Sequence, residues 1–193
     1  MAGVRMGEMV VSANPTDELT ALGLGSCIGL AIVDRRAGVA GLAHIMLPES
    51  HEGGELAKFA DTAVPLLVER MRRAGAAVRR MEAAIAGGAC MFEMSGGLDI
   101  GSRNDQAVRT ALSEAKVALR ASETGGNQGR TVRINVGEGL VTVRVAGQPA
   151  MALVGKRPPR TATSKSAASP TGAERARKCR GQRAIVSTTG AQP

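Results

Sequence analysis

Apolar and polar positions along this chain mark out short strands before anything else. Residues 6–12 and 19–24 are brief apolar-rich runs around the turn residues Asn14 and Pro15. Two longer apolar runs then flank Asp34-Arg35-Arg36-Ala37-Gly38, a polar stretch ending in glycine, as a hairpin turn does. Beyond a polar, Gly-containing loop at residues 51–55, Leu56, Phe59, Ala60, Ala63, Leu67, Met71 and Ala74 recur at helical spacing. Gly75 is a natural stop for that helix, and Pro65 is expected to kink it or to mark its first turn. Residues 81–86 form a short apolar run closed by Gly87-Gly88 and read as a buried strand.

Ser102 and Asp105 have capping-box spacing, which predicts a second helix starting there. Its inner face is Ala107, Val108, Ala111, Leu112, Ala115 and Leu119. Residues 130–136 and 140–145 alternate about a Gly-Glu-Gly turn and predict a second hairpin. Many strands with two helices give an α+β class, with mixed β-sandwich-like sheets and two principal helices packed on them.

Composition changes this picture in two places. The chain has 193 residues, no Trp, no Tyr and two Phe, so its core is aliphatic and surfaces for base stacking are not expected. The net charge of +8 is confined to residues 155–193, with nine Lys or Arg against Glu174 alone. Residues 1–154 therefore carry sixteen basic and sixteen acidic side chains and are neutral. This divides the chain into a folded unit, 1–154, and a basic tail, 155–193, whose Pro/Ser/Thr/Ala/Arg-rich composition predicts disorder. A neutral folded unit gives no reason to expect a specific nucleic-acid partner.

No run reaches the roughly 18 apolar residues of a membrane span, and the chain starts without the charged and apolar regions of a signal peptide. A cytoplasmic, reduced, monomeric protein is expected, with no membrane insertion. Its three cysteines, Cys27, Cys90 and Cys179, then stay unbridged.

The candidate chemistry lies in residues 22–48, LGLGSCIGLAIVDRRAGVAGLAHIMLP. Centring the hairpin turn between Arg35 and Arg36 sets Cys27 opposite His44 on one face, within reach of a thiol–imidazole pair. A register shifted by one residue would put them on opposite faces. Such a pair suits nucleophilic catalysis, the imidazole deprotonating the thiol. The backbone N–H groups of Ser26 and Cys27 are candidates for an oxyanion hole. Taken singly, a cysteine in an apolar run is more often a small buried hydrophobe, and a strand histidine a structural one. Cys90 is taken as a packed or loop thiol, and His51 as exposed. Cys27, His44, His51 and Cys90 match no common zinc spacing, so neither metal nor cofactor is expected. Gly87-Gly88 and Gly125-Gly126 form no phosphate-binding motif.

Five ordered blocks resemble one family: LGLGSC with HIMLP, KFADTA at 58–63, AGGACMF at 86–92, IGSRN at 100–104 and ETGGN at 123–127. In combination they resemble the CheD family, the chemoreceptor glutamine deamidases of bacterial chemotaxis. The resemblance spans roughly residues 4–146. It implies a cytoplasmic protein-glutamine glutaminase that converts glutamine side chains of methyl-accepting chemotaxis receptors to glutamate through a Cys27 thioester, with His44 as base.

The family also implies a CheC-type phosphatase as partner, for which Met91 and Phe92 are candidate docking residues. In the family a threonine six residues before the cysteine orients the histidine; here that position is Ala21, and Thr20, one place earlier, points to the other face of a strand. Ala21 keeps open a second function class, a catalytically weak adaptor acting through the phosphatase. A thiol redox sensor is weaker, since no resolving cysteine lies near Cys27 in sequence.

Overall fold

The structure, a computed structural model, describes residues 1–51, 55–90 and 100–155. The basic tail, its expected disorder, and Met91 and Phe92 lie outside the described residues. Ten strands form two five-stranded sheets. One sheet runs β1 (Ala2–Gly3), β3 (Glu18–Leu24), β8 (Arg130–Asn135), β9 (Leu140–Val145), β10 (Met151–Val154). The other runs β2 (Met9–Ser12), β5 (Val39–Ile45), β4 (Ile28–Asp34), β6 (Glu82–Gly87), β7 (Ala118–Thr124). Both sheets mix parallel and antiparallel pairs or join an antiparallel set to one parallel edge, β1 on β3 and β7 on β6. With α1 (Ala60–Arg73) and α2 (Ile100–Glu114) the class is α+β.

Two hydrophobic clusters define three layers. Ile28, Leu30, Ile32, Val39, Ala43 and Ile45 of the second sheet pack against Ala63, Val64, Leu67 and Met71 of α1 and Val108 and Leu112 of α2. Alternate residues of the same strands, Ala31, Val33, Ala40 and Leu42, face Leu19, Ala21, Leu24, Val132, Ile134 and Val143 of the first sheet. β4 and β5 are thus covered on both faces, and every residue in them is buried. That is why they read as unbroken apolar runs rather than as alternations. Among the described residues no helix is long and apolar enough to cross a membrane.

Several expectations need correction. The first hairpin forms, but its turn is residues 35–38, with Asp34 paired to Val39 and Gly29, not Cys27, opposite His44. The shift arises because Asp34 remains on the strand and its Oδ1 accepts the Ala37 N–H inside the turn, at 3.2 Å. The register moves by two residues rather than one, so the face of each side chain is preserved. α2 starts at Ile100, which puts Ser102 inside the helix rather than at its cap, and Leu119 belongs to β7. Pro65 lies past the first turn of α1, on its exposed side, rather than in that turn. Strands β1, β7 and β10 carry no strong apolar alternation and were not expected.

Candidate functional site

Cys27 ends a short bend, residues 25–27, between β3 and β4. That bend is held by its carbonyls. Ala89 N–H donates to the Gly25 oxygen (2.7 Å), Asn104 Nδ2 to the Ser26 oxygen (3.0 Å) and Gly88 N–H to the Cys27 oxygen (2.9 Å). The glycine pair Gly87-Gly88 at the end of β6 makes this contact possible. At Gly87 a Cβ would lie 2.1 Å from the Cys27 oxygen, and the residue has a φ of +117° that side-chain-bearing residues rarely adopt. The second glycine pair supports the first, with Gly125 N–H donating to the Gly87 oxygen at 2.9 Å. The first pair serves close backbone approach, and the second supplies the positive φ of its turn, +80° and +67°.

His44 lies on β5 between Ala43 and Ile45, which point toward the helices. Its ring accordingly turns to the interior between the sheets, where it is almost wholly buried. Cys27 is half-buried and packs against that same interior cluster. Thiol and imidazole share a face as expected, but as diagonal rather than opposed neighbours. Diagonal pairs in a sheet are separated by roughly 7–8 Å between backbones, within reach of long side chains. Gly29, directly opposite His44, carries no side chain, and the space above it is filled by Leu24, whose Cδ1 lies 2.6 Å from where a Cβ would stand.

No hydrogen bond joins the two; the ring nitrogens make no well-formed hydrogen bond among the described residues, and the Val4 backbone is the polar group beside them. Catalytic hydrogen bonds often tighten only when substrate binds. Ala21 is buried in the inter-sheet cluster, on the face shared by His44, whereas Thr20 points the other way, with its hydroxyl 3.4 Å from Glu18 Oε1. A bulge between Ala21 and Leu24 lies past Thr20 and does not turn it inward.

Burial sets the charge state of both groups. It pushes the Cys27 thiol above its ordinary 9.0, against a smaller pull from its own backbone N–H. It pushes the His44 imidazole below its ordinary 6.5, against a smaller effect of the nearby Val4 backbone. Near pH 7 the resting pair is therefore a neutral thiol and a neutral imidazole, the state in which the ring can accept a proton. The Ser26 and Cys27 N–H groups donate to no other residue among those described, and the Cys27 N–H faces its own sulfur. His51, in the loop before α1, stacks edge-on against Phe59 with ring centroids 4.9 Å apart, and is exposed. Among the described residues no three His, Cys, Asp or Glu side chains form a group able to hold a metal.

The residue that sequence reasoning passed over is Asn104. It is fully buried in the first turns of α2 and contacts the Cys27 bend directly. Its signal was a polar residue within the apolar face of a predicted helix.

Comparison with known proteins follows this geometry. The family model described as CheD chemotactic sensory transduction matches residues 46–145. The "Probable chemoreceptor glutamine deamidase CheD" of Clostridium botulinum (strain Eklund 17B / Type B) is 43% identical over 150 residues, 75% of this chain and 92% of that protein. The "Chemoreceptor glutamine deamidase CheD" of Thermotoga maritima is 46% identical over 147 residues, covering 75% of this chain and 91% of the relative.

Proposed function

The chain belongs to the CheD family, and from that premise we propose that it is a glutamine deamidase of chemoreceptors working through a cysteine nucleophile. The observation that carries this reading is one shared face. A half-buried thiol packs against the same inter-sheet interior as a buried imidazole, beside two backbone N–H groups that donate to no other described residue.

His44 takes the Cys27 proton as sulfur attacks the glutamine side-chain carbonyl. The oxygen, now negative, is met by the N–H groups of Ser26 and Cys27. The carbon–nitrogen bond then breaks, His44 returns its proton to nitrogen and ammonia leaves a thioester. His44 next takes a proton from water, whose oxygen attacks the thioester; glutamate forms and the thiol is regenerated. Residues 1–154 are the deamidase unit in this reading, and residues 155–193 are an appended basic tail. The protein acts in the cytoplasm as a monomer on receptor cytoplasmic domains, with a CheC-type phosphatase as a further partner.

Incubating the protein with a purified receptor cytoplasmic fragment tests the reading. Gln-to-Glu mass shifts with matching ammonia release are expected. No shift alongside tight phosphatase binding would replace the enzyme with the adaptor.

The neutral resting pair predicts a broad pH profile. The acid limb of kcat/KM, from protonating His44, falls below 6.5, and the alkaline limb, from ionising Cys27, falls above 9.0. Both shifts widen the plateau between them. A rate still climbing between pH 7 and 9 would mean that free thiolate, not the pair, is the nucleophile.

Ala21 supplies a gain-of-function prediction. Threonine here would put a hydroxyl on the interior face that His44 shares, giving the ring an orienting partner. Ala21→Thr is expected to raise kcat about tenfold, part of the 10²–10⁴ that a well-placed general base provides. Ala21→Val, with similar shape and no hydroxyl, should give no gain. Equal rates for Ala21→Thr and wild type would show that another group already orients the ring.

A further inference from the structure

Resting on the deamidase reading, we infer that Asn104 is a positioning residue that aims the Cys27 N–H at the developing oxyanion and ties the nucleophile's bend to the strand of its base. One side chain reaches both segments. Its Nδ2 donates to the Ser26 carbonyl at 3.0 Å and to the Met46 carbonyl at 2.8 Å. Ser26 immediately precedes Cys27, and Met46 lies just past β5, two residues after His44. The amide is wholly buried, so no water competes for its two donors.

Peptide planarity turns this contact into an aiming device. The Ser26 C=O and the Cys27 N–H belong to one rigid plane and point in opposite directions. Fixing the carbonyl therefore fixes where the N–H points. The planes on either side are held in the same manner by the Ala89 and Gly88 N–H groups. Three consecutive carbonyls are thus drawn toward the 88–89 segment and α2, which leaves the Ser26 and Cys27 N–H groups directed elsewhere and donating to no other described residue. Of the three holders, Asn104 is the side chain, and it also restrains the end of β5.

Its own footing is rigid. At Gly101, one turn earlier in α2, a Cβ would sit 2.7 Å from the Gly88 carbonyl carbon and oxygen, so helix and loop are packed backbone to backbone. A side chain anchored on such a base places its donors with little freedom. Only a primary amide offers two donors at this length; aspartate has the same shape but would present a carboxylate to two carbonyls.

The test uses the full chain with the receptor fragment as substrate and normalises kcat to thiol titrated in the folded protein. Asn104→Ala is expected to lower kcat by about 10²-fold, the usual cost of losing one oxyanion donor, with KM changed less than threefold. Alkylation of Cys27 by iodoacetamide, which forms no oxyanion, should change less than fivefold. If Asn104→Ala does not fold, Asn104→Leu, of similar size and without donors, takes its place with the same expectations. A kcat per titrated thiol equal to wild type, or a fall matched by alkylation, would reduce Asn104 to a structural role and overturn the inference. An inactive wild type would instead sink the deamidase reading, and this inference with it.

Discussion

Cys27→Ala is expected to lower the deamidation rate by on the order of 10⁴–10⁶, the range found when one member of a nucleophile–base unit is deleted. At 1.36 kcal/mol for each tenfold, this corresponds to about 5–8 kcal/mol of transition-state stabilisation. The loss should appear in kcat, because the sulfur forms its bond only after substrate is in place. Stability should hardly change, since the thiol is half-buried and hydrogen-bonded to no other side chain in the described structure. The double variant Cys27→Ala with His44→Gln should be no slower than Cys27→Ala alone, because a base without its nucleophile has nothing to deprotonate. Cys90→Ala should keep the wild-type rate. The measurement is glutamate formation in the receptor fragment by mass spectrometry, beside ammonia release. A Cys27→Ala protein with more than a tenth of wild-type activity would remove Cys27 from the chemistry.

How much of this was legible in the sequence depends on what each residue reports. β4 and β5 were visible because burial on both faces demands unbroken apolar runs bounded by a polar, Gly-ended turn. α1 was visible because its period is regular and Gly75 stops it with a φ of +100°. The sharing of a face by Cys27 and His44 was legible as parity, which survives a two-residue error in register.

The register itself was not legible. It depends on Asp34 remaining in the strand, and that is decided by donors 43 and 46 residues away, at Ala77 and Arg80. β7 was missed for a related reason. Its pattern of exposed and half-buried residues, ALRASET, gains its place from parallel pairing with β6, a contact no local window contains. Asn104 was visible as a polar residue on an apolar helix face and as the end of the IGSRN block, but its partners were not, because they meet only once β3, β5 and α2 converge.

Asp34→Ala is expected to cost about 2–4 kcal/mol of stability, mainly from two main-chain donors left without their acceptor at roughly 1–3 kcal/mol each. The carboxylate is fully buried, and burial alone would raise its pKa. That effect is outweighed by the Arg80 guanidinium and by the Ala77 and Ala37 N–H groups, which together hold the carboxyl below its ordinary 3.8. Arg80 meets Oδ2 at 2.8 Å and Oδ1 at 3.1 Å, and Ala77 donates to Oδ2 at 2.9 Å. In the alanine variant Arg80, which is partly exposed, can turn to water, but the two main-chain donors lose their acceptor.

A chain of this size should lose about 10 °C in Tm. The sign with pH follows from the depressed pKa. The contribution is complete above pH 3.8 and is lost as pH falls through the lower folded value, so wild type and variant should converge in acid. Equal denaturation midpoints at pH 7 would show that the turn is held by something else.

Catalysis should separate from stability here. Asp34 ends β4 and Cys27 immediately precedes its other end, about 20 Å away at the usual strand rise. Activity per folded molecule should therefore stay near wild type while the folded fraction falls. The same strand then carries its stability at the turn and its chemistry at the other end.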